Sequence, residues 1–213
     1  METKTEMRVT PEELRGTVDY LSEINVLKRT FRTGWRLGGP PPEKEEEQDD
    51  VAGHGYVGAH FAYILGRMEG LHQAEALQCV GKFIFHDDFE VRTGERDKLA
   101  THYQEIPPEV VIKAMEDQIS RLPEEIGKEI LEFALEAKSG EGPEVDILRD
   151  ADILEASFHA KISHERGFRV PEYLLKRYLD PDRVETRSAK RLMNALRLRK
   201  DLSTRWLEGS LNV

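Results

Sequence analysis

Three side chains able to hold a metal or move a proton stand close together, at His86, Asp87 and Glu90 in Phe85-His86-Asp87-Asp88-Phe89-Glu90. His86 and Asp87 are neighbours, about 100° apart around a helix, so a metal lying between their directions can take both. Glu90 is i+4 from His86 and i+3 from Asp87, which puts it on the same side of a helix. From there its carboxylate reaches a water held by the metal without being a ligand itself. A solvated acidic helix end would show the same residues, but the preceding Phe83, Ile84 and Phe85 argue against full exposure. Asp88 reads as a solvated neighbour with no role.

A catalytic metal site needs three or more protein ligands converging from different elements. Of the histidines, His54 lies between Gly53 and Gly55, which leave room for a close approach. His60 is about 240° further round the same helix and cannot share that direction. Asp150 and Asp152 flank Ala151 in an otherwise apolar segment, where an unpaired buried carboxylate would be costly. They are about 200° apart, so one can enter a given site and the other is expected to be solvated.

The elements that must carry these residues read as helical almost throughout. Thr10-Pro11-Glu12-Glu13 is a capping box with proline at the first helical position, followed by Leu14, Val18, Leu21 and Ile24 at helical spacing. A second helix is expected from Asp50 to Glu69, with Val57, Phe61, Ile64, Leu65 and Met68 toward the core. A third runs from Gln73 to His86 with Leu77, Val80, Ile84 and Phe85. After a loop turning at Thr93-Gly94, helices open at Pro107-Pro108, Pro123, Gly142-Pro143 and Pro171, and a last one at Pro181 running through Leu192, Leu196 and Leu202. With no strand pair, repeat or linker, the fold class is all-α in a single domain.

Composition narrows the partners. The chain has 213 residues, 34% of them charged, and a net charge of -10. That disfavours binding to nucleic acid or to an anionic membrane. The basic stretch Ser188 to Arg205 is read as a solvated face, or as pairing with the acidic run Glu43 to Asp50 that follows Gly38-Gly39-Pro40-Pro41-Pro42. One cysteine, Cys79, excludes an internal disulfide and reads as a small core residue. No apolar run approaches ~20 residues and no signal peptide is visible, so a cytoplasmic location is expected.

A histidine, a His-Asp pair about 30 residues on, and an aspartate in an apolar helix about 65 residues beyond resemble the HD-domain phosphohydrolases. Leu27-Lys28-Arg29-Thr30-Phe31-Arg32-Thr33-Gly34-Trp35 is similar to the Leu-Lys-Arg-x-x-Arg-x-Gly-Trp segment of their 5'-deoxynucleotidase-like subgroup. His86 to Glu95 is similar to that subgroup's His-Asp-x-x-Glu-x-x-x-Gly-Asp, with Glu95 standing where aspartate is usual. Ala151-Asp152-Ile153-Leu154 looks like the family's Ala-Asp-x-Leu. The resemblance covers roughly residues 14 to 164, leaving 165–213 as a helical extension.

The resemblance implies an HD-domain helical bundle with a divalent transition metal (Mn, Co, Fe, Ni or Zn) on His54, His86, Asp87 and Asp152. It implies hydrolysis of (deoxy)nucleoside 5'-monophosphates to nucleoside and phosphate, with Glu90 as general base and Arg32 on the phosphate. Arg32, Trp35, Thr93 and Glu95 are the implied substrate contacts, Glu95 on the sugar, and a homodimer is the implied assembly. Two alternatives go with it. One is an HD phosphohydrolase acting on a nucleoside triphosphate or cyclic dinucleotide; the other is a non-catalytic, metal-stabilised helical binding protein.

Overall fold

A computed structural model describes residues 7–37, 49–168, 170–202 and 204. The Gly-Pro stretch and most of the acidic run (38–48), with Ser203 and Arg205, lie outside the described residues, and so does any pairing of that run with the basic stretch. Helix α1 (Pro11–Ile24) starts on the expected capping box. Thr10 Oγ1 accepts from the Glu13 amide at 3.2 Å, and Glu13 Oε2 accepts from the Thr10 amide at 2.7 Å. Helix α2 (Val51–Met68) is capped by Asp50, whose side chain accepts from the Gly53 amide at 2.6 Å. Helix α3 (Gln73–Phe85) follows.

The expected loop after His86 contains two short helices, α4 (Glu90–Thr93) and α5 (Lys98–Tyr103). Gly94, at φ +74°, ends α4 in a conformation open to glycine, and Asp97 caps α5 by accepting from the Leu99 and Ala100 amides. Helices α6 (Pro108–Ile119), α7 (Glu124–Ser139), α8 (Pro143–Glu165) and α9 (Glu172–Tyr178) begin at or beside the expected prolines. The single last helix expected from Pro181 is instead a 3-10 turn (Pro181–Arg183) and a separate α10 (Arg187–Leu198), because Thr186 caps a new helix by accepting from the Ala189 amide. Among the described residues the architecture is all-α, with one isolated bridge between Phe31 and Asp50. None of their helices is long and apolar enough to cross a membrane.

The core forms where α2, α3 and α8 meet, around Ala62, Leu65, Cys79, Phe83, Ala151 and Leu154. The face that α2 buries differs from the one expected. Leu65 and Phe61 do pack into the core, but they share that face with His54, Gly58, Ala62 and Gly66, while Val57, Ile64 and Met68 point to solvent. Gly58 shows why: a Cβ there would lie 2.1 Å from Phe83 Cε1, so α2 and α3 approach to a distance larger side chains forbid. Leu77 and Ile84 of α3, and Leu14, Val18 and Leu21 of α1, are likewise exposed.

The basic side chains of the C-terminal stretch form a solvated face, with Arg191, Arg197, Arg199 and Lys200 exposed, while the opposite face is buried. Ala189, Met193 and Leu196 of α10 pack into the core, and Ser188 donates its amide to Glu69 at 2.6 Å. Lys161 of α8 donates to the carbonyls of Leu196 at 2.6 Å and Arg197 at 3.2 Å, and also to that of Arg199. It thereby satisfies the last turn of α10.

Candidate metal centre

The His86-Asp87 pair sits where α3 ends. His86 is the C-cap, at φ -64° and ψ -27°, and Phe89, which leads into α4, is helical as well, at φ -62° and ψ -20°. Glu90 therefore stays on the side its spacing indicated, its amide donating to the Asp87 carbonyl at 2.9 Å. Buried Phe83 and Phe89 anchor the segment on either side. His86 Nδ1 donates to the Phe83 carbonyl at 2.6 Å. A carbonyl only accepts, so the proton is assigned to Nδ1 and Nε2 keeps a lone pair.

His54 comes from α2 and is buried. One oxygen, Glu155 Oε2, lies 2.8 Å from His54 Nδ1 and accepts its proton, which aims Nε2 at Asp87 and Asp152. The distances from Nε2 are 3.9 Å to Asp87 Oδ2 and 3.3 Å to Asp152 Oδ1, and it makes no hydrogen bond. The donor atoms of His54, His86 and Asp87 all lie within 4.8 Å of one another. Asp152, from α8, stands beside this trio with about half of its side chain exposed.

Asp150 goes the other way, and it is not solvated. It is buried and accepts from the amides of Glu185 at 2.8 Å and Thr186 at 2.7 Å, tying α8 to the start of α10. Those two amides supply the partners that a buried carboxylate needs. Asp88 is also buried rather than solvated. Its Oδ2 accepts from the Tyr20 hydroxyl at 2.8 Å, and burial pushes the carboxyl up to about 7.

Lys138 of α7 donates to Asp87 Oδ1 at 2.7 Å, so Oδ2 is the oxygen turned toward the histidines, 2.9 Å from His86 Nε2. Burial opposes ionisation of Asp87, but His86 and Lys138 outweigh it and hold the carboxyl well below its usual range. Burial lowers the His54 imidazolium, yet the nearby carboxylates of Asp152 and Glu155 outweigh it and raise it to about 10. A proton and a divalent cation thus compete for the same nitrogen. Glu90 Oε2 is buried without a hydrogen-bond partner, and burial followed by the Asp87 charge pushes its carboxyl up to about 9.

Arg32 is placed by a short antiparallel contact. Its amide donates to the Asp49 carbonyl at 2.9 Å, and the Val51 amide donates to that of Thr30 at 2.9 Å. Its Nη1 donates to Glu155 Oε2 at 2.9 Å and touches His54 Nδ1, because both nitrogens converge on one carboxylate oxygen. Nη2 is 3.8 Å from Asp152 Oδ1.

Glu95 Oε2 accepts from both the amide and the hydroxyl of Thr33 at 2.5 Å. Thr93 bonds the Phe89 carbonyl through its hydroxyl at 3.3 Å. Trp35 is buried, donating from Nε1 to Asp49 Oδ2 at 3.1 Å and packing on His159 and Tyr178.

The donor set fits a divalent transition metal. It offers two imidazole nitrogens, that of His54 once a cation displaces its proton, and two carboxylates, and it leaves a buried polar atom, His54 Nε2, without a hydrogen bond. A cavity of about 330 Å³ abuts His86 and Asp87 near Leu27, Val51, Tyr56 and Ile84, but it is not lined by Arg32, Glu90 or Asp152.

Two residues of the centre escaped the sequence reading. Glu155 had a usable signal, being i+3 from Asp152 on one face of α8 among apolar residues. Lys138 had none, since 51 residues separate it from Asp87.

A family model described as HD domain matches residues 24–192. No curated protein matches the sequence. Among solved structures, a conserved hypothetical protein from Pyrococcus furiosus is 21% identical, with 84% of this chain and 98% of that one covered and a TM-score of 0.65. A predicted metal-dependent phosphohydrolase from Magnetospirillum magnetotacticum MS-1 is 19% identical over 87% and 93%, with a TM-score of 0.63. A cyanophage S-2L HD phosphohydrolase, bound to dA and one catalytic Zn2+ ion, is 14% identical over 90% and 94%, with a TM-score of 0.51. At these identities the likeness speaks to the fold.

Proposed function

Because this chain belongs to the HD-domain family, we propose that it is a metal-dependent phosphohydrolase cleaving (deoxy)nucleoside 5'-monophosphates to nucleoside and orthophosphate. The observation that carries this reading is the meeting of His54, His86, Asp87 and Asp152 with a partnerless Glu90 carboxylate oxygen and with Arg32. When bound, a divalent cation supplies Lewis-acid polarisation of the phosphate and of the attacking water.

The chain's own residues do the rest. Arg32 offers N–H donors to the phosphate oxygens and offsets their charge, with its guanidinium oriented by Glu155. A cation held at Asp87 would favour the ionised form of the raised Glu90 carboxyl, which would then accept the proton of the attacking water through the oxygen that no protein group occupies. The water oxygen bonds to phosphorus, the P–O5' bond breaks, and O5' takes one proton from solvent. Glu95, held by Thr33 next to Arg32, is the acceptor offered to the sugar, and Thr93 stands on the same turn. The exposed apolar residues of α1, α2 and α3 support a homodimer.

The test is turnover of a nucleoside monophosphate panel with Mn2+ or Co2+, together with metal analysis of the purified protein. Orthophosphate release that chelation abolishes is the expected result. Metal-replete protein that hydrolyses no monophosphate would overturn the reading.

A further inference from the structure

Lys138 reaches the metal centre from a helix that supplies none of its candidate ligands. It is the penultimate residue of α7, where the negative end of the helix dipole favours a cation. Lys128 and Lys176 pair one turn back along their own helices, with Glu124 and Glu172. One turn back from Lys138 stand Leu135 and Ala134, so it has no such partner on α7. Its ammonium instead lies 2.7 Å from Asp87 Oδ1 and 4.8 Å from the ring centre of buried Phe89. Close packing of two helices permits this reach. A Cβ at Gly81 of α3 would lie 2.8 Å from Phe133 Cε2 of α7. Buried Ala134, four residues before Lys138, places the lysine on the inward side of α7.

The contact divides the two oxygens of Asp87. Oδ2 lies 2.9 Å from His86 Nε2 and 3.9 Å from His54 Nε2, while Oδ1 accepts from Lys138. A carboxylate can give a cation one oxygen or both. Chelation through both would take one more position around the metal, and a catalytic site differs from a structural one in keeping a position open. Arg32 meets other carboxylates, Glu155 at 2.9 Å and Asp152 at 3.8 Å, and leaves Asp87 to Lys138.

We propose that Lys138 is a positioning residue that limits Asp87 to one metal-facing oxygen and so keeps a coordination position open for the substrate. The inference rests on the metal-dependent reading above. It gives α7 a part in the reaction without a ligand or a substrate contact. A residue that merely orients Asp87 would act on the metal in the opposite sense, because losing a partner behind a ligand usually weakens binding. Loss of Lys138 frees Oδ1 to chelate and removes a positive charge that repels the cation, so binding tightens.

The experiment loads the full chain with Co2+ and compares it with Lys138→Met and Lys138→Arg. The side chain is 37% exposed, and methionine can still pack on Phe89. In Lys138→Met, Co2+ affinity by calorimetry is expected to rise about tenfold. The visible d–d bands of bound Co2+ are expected to lose intensity as the coordination number increases. The kcat for AMP is expected to fall about 10- to 100-fold, with KM within about threefold. Lys138→Arg keeps a donor at Oδ1 and is expected to match the parent in all three. Weaker Co2+ binding or unchanged bands in Lys138→Met would overturn the proposal, and so would a Lys138→Arg protein that behaves like it. Affinity and spectrum do not require turnover. A parent that binds Co2+ but hydrolyses no monophosphate overturns the hydrolase reading, and the bands of Lys138→Met still decide what Lys138 does at the metal.

Discussion

Glu155 Oε2 and His54 Nδ1 lie 2.8 Å apart, and that contact decides which nitrogen His54 presents to the metal centre. Nδ1–H donates to the carboxylate, so Nε2 faces Asp87 and Asp152. The same oxygen accepts from Arg32. Glu155→Gln keeps the shape but weakens both bonds, and metal affinity is expected to fall about 10- to 100-fold. Calorimetric titration with Mn2+ or Zn2+ measures it, and an unchanged affinity would show that His54 needs no such orientation.

Glu90→Gln removes the proton acceptor while touching no metal-facing atom. Monophosphate hydrolysis is expected to drop by about 10²- to 10⁴-fold with metal content intact. Rate and metal stoichiometry are measured on the same preparation. A variant as fast as the parent would remove Glu90 from the role of base.

Gly58→Ala sets a helix-propensity gain of up to about 1 kcal/mol against a Cβ that would sit 2.1 Å from the Phe83 ring. Overpacking wins, with a net loss of about 1–3 kcal/mol in urea unfolding. Because the Phe83 carbonyl holds His86, metal affinity is expected to fall as well. A stabilised variant would mean that the α2–α3 contact yields easily.

Cys79 is fully buried, and burial, then the Glu144 carboxylate, push its thiol from 9.0 to about 11. The folded state prefers the neutral thiol. The associated stability is therefore present below pH 9 and lost as pH rises toward 11, by up to about 2–3 kcal/mol. Cys79→Ala is expected to show a flatter decline over that window in urea unfolding. Iodoacetamide at pH 8 is expected to label the parent only after unfolding, and rapid native labelling would contradict its burial.

The exposed apolar faces of α1 and α2 include Val18, at 63% exposure, and Ile64, at 50%. If they meet a second copy, Val18→Glu/Ile64→Glu shifts the mass in light scattering from dimer to monomer at micromolar concentration. A parent protein that is monomeric under the same conditions refutes the homodimer.

Helix starts were legible because capping is local. Thr10, Asp50, Pro108 and Pro143 announce their helices within a turn of sequence. The face each helix buries was not. Apolar spacing pointed to Val57, Ile64 and Leu77, whereas packing chose the glycine and alanine face of α2, because close approach to Phe83 and α8 buries more than those side chains could. The short helices α4 and α5 were missed for a related reason, since each is too brief to show a period.

By itself the sequence determined the residue types, their order and their local spacing, enough to mark His86-Asp87-Glu90 as one unit, while the resemblance to the HD-domain phosphohydrolases pointed to His54 and Asp152 as its partners. Only the tertiary structure decided that Asp150 turns to the amides of Glu185 and Thr186 while Asp152 faces His54. It also decided that Glu155 and Lys138 hold the ligands in place. Spacing along a helix says which residues share a side. What stands opposite that side depends on segments tens to a hundred residues away, and only the packed chain brings them there.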